Sequence, residues 1–68
     1  MPSTVIRSFS YRPEQAELDI VFVTGRRYVY RGVPQAEADA FAGAFSKGRY
    51  FNARIRDLYD CIELEPEG

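Results

Sequence analysis

The sequence predicts an α+β domain, in which a three- or four-stranded antiparallel sheet, laid out as a meander, is followed by one or two helices packed on one face. Three patterns lead there. From Glu17 to Val23 the residues alternate, Leu18, Ile20 and Phe22 pointing one way and Asp19, Val21 and Val23 the other, which is the period of a half-buried strand. Gly25 then marks a tight turn, and Tyr28-Val29-Tyr30 sits inside a returning strand from Arg27 to Arg31. After Pro34 the spacing becomes helical: Ala38, Phe41, Ala42 and Phe45 form a stripe suited to lie on a sheet.

Taken along the chain, Thr4 to Tyr11 reads as the first strand, with β-branched and aromatic residues in loose alternation. Arg12-Pro13-Glu14-Gln15 supplies the first turn, because Pro13 fixes its own φ and has no N–H for a ladder. Gly32-Val33-Pro34 ends the sheet. Pro34 suits the first position of a helix, with Glu37 and Asp39 near its positive end and Gly48 as its stop signal. A second helical stretch is expected from Tyr50 to Leu58, with Phe51, Ile55 and Leu58 on one side and Arg49 and Arg56 on another. Asp60 to Leu64 reads as a short last strand with Ile62 and Leu64 inward. Residues 1–64 form the domain and 65–68 an acidic C-terminal tail, with no repeat, low-complexity tract or linker.

Composition bears on chemistry mainly through what is missing. The chain has no histidine, which removes Ser-His and Cys-His pairs and the usual general base. Cys61 is alone, so no internal disulfide forms, and no common zinc site can be built from one cysteine and no histidine. The glycines are scattered and none sits in a phosphate-cradling loop. An enzyme is not expected, nor is a cofactor or a metal. No apolar run approaches the roughly 18–20 residues that span a bilayer, and Met1-Pro2-Ser3-Thr4-Val5 lacks the pattern of a signal peptide. The expected location is the cytoplasm, away from membranes. A chain this short buries only about 60% of its unfolded surface, so its five Phe and five Tyr must carry much of the core.

Charge is unevenly spread although the net is −1. Between Arg26 and Arg56 stand seven basic residues (Arg26, Arg27, Arg31, Lys47, Arg49, Arg54 and Arg56) against Glu37 and Asp39; from Asp57 onward there are five acids and no base. Such a split suggests a basic patch beside an acidic tail. The plainer account is a solvated surface neutralised by that tail.

An ordered series of short motifs carries a family resemblance. Leu18-x-Ile20-x-Phe22, Gly25, Tyr28-Val29-Tyr30, Val33-Pro34, then Ser46-Lys47-Gly48-Arg49-Tyr50-Phe51-Asn52 and Ile55 together resemble the KTSC domain, over about Ser3 to Leu64. That family is named for its place at the C-terminus of some lysyl-tRNA synthetases and also occurs as free-standing small bacterial proteins. The resemblance implies the fold. Through the synthetase association it also suggests RNA as a partner, and it carries over no catalytic residue.

Two constellations remain to be weighed. Tyr28 and Tyr30 could stack unpaired bases if they face outward. A two-residue turn at Gly25 would put them with Asp19, Val21 and Val23; a three-residue turn, Val23-Thr24-Gly25 with Gly25 left-handed, puts them with Leu18, Ile20 and Phe22. Binary pattern favours the second, leaving Asp19 within reach of arginines on the outer face. The basic cluster, if it converges, makes a site for phosphate oxygens with Ser46 and Asn52 as hydrogen-bond donors. Otherwise Ser46 caps the second helix while Gly48 gives the chain its turn, and Cys61 packs as a small hydrophobe. Tyr28, Tyr30, Ser46, Gly48, Tyr50, Phe51 and Asn52 are thus expected to be structural. The expected function is a noncatalytic small binding module that takes RNA (tRNA or another structured RNA) through the basic patch. The alternative is a protein-interaction or self-association module with no nucleic-acid partner.

Overall fold

Residues 6–64 are described by a computed structural model. The elements are β1 (Ile6–Arg12), β2 (Glu17–Phe22), β3 (Arg27–Arg31), α1 (Gln35–Ala42), α2 (Lys47–Arg54) and β4 (Asp60–Leu64). The four strands form one antiparallel sheet in the order β1-β2-β3-β4, so the first three make a meander and β4 returns beside β3 after the helices. This is the expected α+β class. Thr4, Val5 and the acidic tail at 65–68 lie outside the described residues.

The β2–β3 hairpin settles where the tyrosines point. Phe22 N–H donates to the Arg26 carbonyl at 2.8 Å and Gly25 N–H to the Phe22 carbonyl at 2.8 Å, with Gly25 at φ +92°. The loop is therefore Val23-Thr24-Gly25, and glycine is the residue that enters this left-handed conformation without a Cβ clash. Pairing follows as Leu18↔Tyr30 and Ile20↔Tyr28, which puts both rings on the face of Leu18, Ile20 and Phe22. Val23, the last residue of the alternating run, is an exposed turn residue, as the favoured three-residue turn requires.

Both helices cover that same face. Leu18, Ile20, Tyr30, Val33, Ala38, Phe41, Phe51 and Ile55 make one buried cluster, with Phe9 meeting Phe41 edge-to-face at 4.9 Å. The Tyr11 hydroxyl donates to the Val33 carbonyl at 2.6 Å and ties β1 to the chain entering α1.

Several boundaries differ from the sequence expectation. Pro34 is the N-cap of α1, not its first residue, and the helix closes at Gly43, so Phe45 falls outside the stripe and is fully exposed, and Ala42 is exposed too. Gly48 does not stop α1; it lies buried in the first turn of α2, which starts three residues earlier than expected because Ser46 caps it, accepting from Arg49 N–H at 3.3 Å. Ile55 is the C-cap of α2, and Leu58, beyond it, is exposed rather than inward. In β4 the register pairs Tyr30 with Cys61 and Tyr28 with Glu63, so Ile62 and Leu64 face away from the helices. Cys61 is exposed rather than packed, because β4 is an edge strand beyond the helical cover.

Among the described residues no helix is long and apolar enough to cross a membrane.

Candidate functional site

The seven basic residues do not form one patch. The fold sorts them into three places. Arg27 and Arg31 project from the outer sheet face, since Val21↔Arg27 and Glu17↔Arg31 pair there. Arg27 is committed to Asp19, donating from Nη2 to Oδ2 at 2.6 Å and from Nε to both carboxylate oxygens at 3.1 Å. Arg12 adds a longer contact to Asp19 at 3.5 Å and one to Glu17 at 3.3 Å. The Arg27 hydrogen bond holds the buried Asp19 carboxyl below its usual range, against its burial, which favours the neutral form.

Lys47 and Arg54 occupy one flank of α2. Each lies over an aromatic ring, Lys47 over Phe9 and Arg54 over Tyr50, both at 5.9 Å from the centroid. Beside them, Glu37 of α1 accepts hydrogen bonds from the Tyr50 hydroxyl and, at 3.1 Å, from the Tyr59 hydroxyl. The bond to Glu37 pushes the Tyr50 phenol up, and burial first, then the same carboxylate, pushes Tyr59 up. This flank is a structural clasp joining α1, α2 and the approach to β4.

Arg26 and Arg56 are the pair that converges. Both line a cleft of about 440 Å³ between the hairpin tip and α2. Its apolar walls are Phe22, Val23, Tyr28, Tyr30 and Phe51, and Thr24 and Asn52 add polar groups. The rings interlock: Phe22 meets Tyr28 at 5.6 Å and Phe51 at 5.4 Å, and Tyr30 meets Phe51 at 5.3 Å, all edge-to-face. Phe22 and Tyr28 are half-buried and keep ring surface open to the cleft, whereas Tyr30 and Phe51 are buried behind them. Burial drives the Tyr30 phenol well above the ordinary tyrosine range, with Cys61 and Tyr28 adding to the shift.

Arg26 is held by the Tyr28 hydroxyl and by Glu63 of β4, whose carboxylate lies 3.8 Å away; both keep the guanidinium charged. Among the described residues Arg31, Arg49 and Arg56 join no ion pair. Asn52 comes from α2 and Arg56 from the segment just past its C-cap Ile55, and both line the cleft, whereas Arg49 is exposed on α2 outside the lining.

Sequence spacing alone could pair Arg49 with Arg56. It could not bring Arg26 and Arg56 to one cleft, because that depends on the hairpin register and on how α2 packs on the sheet. Phe22, Val23 and Thr24 were likewise not singled out as site residues. Tyr28, Tyr30 and Phe51, expected to be structural, line the cleft as well as the core, Asn52 lines the cleft as an exposed residue, and Ser46 and Gly48 serve only the start of α2.

Comparison with known proteins places this arrangement. The KTSC domain model matches residues 2–59. An uncharacterized protein of Stutzerimonas stutzeri strain A1501 is 40% identical over 52 residues, covering 76% of this chain and 73% of that one. The crystal structure of a KTSC domain protein from Yersinia pestis has a TM-score of 0.89 at 34% identity, covering 96% of this chain and 92% of that one.

Proposed function

The chain belongs to the KTSC domain family, and from that premise we propose that it is a noncatalytic binding module of the cytoplasm that takes RNA, tRNA or another structured RNA, at the cleft between the hairpin tip and α2. One observation carries the reading: Arg26, from the hairpin, and Arg56, from the segment after α2, both line one aromatic-walled cleft. Arginine guanidinium groups suit phosphate oxygens, and aromatic rings suit bases. Of the other basic residues, Arg27 is engaged by Asp19, Lys47 and Arg54 lie over rings, and Arg31 projects from the opposite sheet face. The noncatalytic part of the reading rests on the cleft's inventory. Its lining has no carboxylate, histidine, lysine or cysteine, and burial moves the Tyr30 phenol further from proton exchange at neutral pH.

An amide chemical-shift titration with bulk tRNA at low salt tests this. Shifts confined to Thr24–Arg26, Asn52 and Arg56 are expected. A spectrum that stays unchanged at saturating tRNA removes the proposal.

A second reading has its own observation: four of the five residues of edge strand β4 are exposed, leaving an uncovered ladder that another chain could extend. It requires a mass that rises with concentration, and a monomer at every concentration in sedimentation would exclude it.

A further inference from the structure

We propose that the cleft receives one unpaired base of a single-stranded RNA segment, with the adjoining phosphates on Arg26 and Arg56. The inference rests on the RNA reading above and narrows it from charge to a stacked base.

The cleft's size and walls point to a flat apolar guest with a polar edge. Its volume of about 440 Å³ lies within the roughly 300–1,000 Å³ of small-molecule sites. Phe22 and Tyr28, held at 83° to each other, leave ring surface toward the opening and cannot collapse into it, since Phe51 and Tyr30 support them from behind. Asn52 stands exposed at the wall with an amide that both donates and accepts, which fits the mixed donor–acceptor edge of a base. The Thr24 hydroxyl already accepts from Arg26 N–H at 3.5 Å, so its own O–H is left to donate.

Charge complementarity selects a strand over a neutral aromatic ligand. Arg26 and Arg56, from two different segments, both line the cleft and are both exposed, so the phosphates adjoining an inserted base would have two guanidinium groups within the same site. A base within a duplex has both faces stacked and its pairing edge occupied, and so does not enter. Glu63, 3.8 Å from Arg26, sits where a phosphate would approach. It acts as a resident competitor and sets how strongly Arg26 attracts an anion.

The test uses fluorescence anisotropy with the full chain and three labelled RNAs: a mixed-sequence single strand, the same strand carrying abasic sites, and the corresponding duplex. The base-bearing single strand should bind on the order of 10- to 100-fold more tightly than the abasic strand. Glu63→Gln should tighten binding of both single strands, whereas Asn52→Ala, at an exposed position, should weaken only the base-bearing one. Equal binding of the base-bearing and abasic strands overturns base insertion and leaves the charge-based reading standing. Equal or tighter binding of the duplex overturns it too. If no RNA binds, the underlying RNA reading falls and this inference falls with it.

Discussion

Replacing Arg26 and Arg56 together with alanine should flatten the salt dependence of RNA binding as well as weaken it. Arg26 and Arg56 line the cleft and Arg49 is exposed on neighbouring α2, so a strand can reach three guanidinium groups, while Arg31 projects from the opposite sheet face. Each phosphate neutralised on a single strand contributes about 0.7 to the fall of log affinity with log salt. Three contacts give a slope near −2, and the double variant, keeping Arg49, falls to about −0.7. Raising salt from roughly 50 to 200 mM should then cost the parent protein about 20-fold in affinity and the double variant about 3-fold. Anisotropy titrations across that range measure both slopes, with Arg31→Ala as the control that keeps the steep one. Both replaced arginines are exposed, so thermal stability should change by no more than about 0.5 kcal/mol. An unchanged slope in the double variant, or an equal flattening by Arg31→Ala, would refute the assignment of the phosphate contacts to the cleft.

The scaffold offers further measurements. Asp19→Asn should lower stability by about 1.5–3 kcal/mol at neutral pH, because it removes a charge-assisted hydrogen bond from Arg27. Asp19's folded pKa lies below 3.8, so its contribution is complete above that value and is lost as pH falls through the folded pKa. Urea melts should accordingly show the variant's deficit shrinking in acid, and a deficit independent of pH would contradict the ion pair. Phe41→Ala, at a fully buried ring, should cost about 3–5 kcal/mol, whereas Phe45→Ala, at a fully exposed one, should cost less than about 0.5 kcal/mol. Ser46→Ala removes the α2 cap and should cost about 0.5–2 kcal/mol in the same melts.

The sheet was legible because its signals are local. Leu18, Ile20 and Phe22 alternate and Gly25 marks a turn, but parity allows both a two- and a three-residue turn, and binary pattern favours the second, which the register confirms by pairing Tyr28 and Tyr30 with Ile20 and Leu18. The errors arose where local pattern was ambiguous. Phe45 continues the α1 spacing, yet the helix ends at Gly43 and nothing in the spacing says so. Gly48 looks like a terminator but sits buried near the start of α2, where the Ser46 cap is the stronger signal. Ile62 and Leu64 are the apolar residues of β4, and their pattern suggests an inward face; register against β3 turns them outward, because Tyr28 and Tyr30 already define the inner side. The cleft was hardest to foresee. Arg26 belongs to the hairpin and Asn52 and Arg56 to α2 and its end, and only tertiary packing makes them neighbours.

The position of β4 carries a consequence for the order in which the chain folds. β1, β2 and β3 join through short turns, so their pairings close small loops at little entropic cost. The first β3–β4 pair, Arg31↔Asp60, encloses everything from Gly32 to Tyr59, including both helices. That larger loop is favourable to close only after α1 and α2 have docked and brought Asp60 near β3. β4 is thereby the last strand to zip up and the first to peel away. Its exposed amides should exchange with solvent earlier than those of β2, which is paired on both sides. Each such opening withdraws Glu63 from Arg26, so the protein's least persistent strand is also the one that shields its cleft-side arginine.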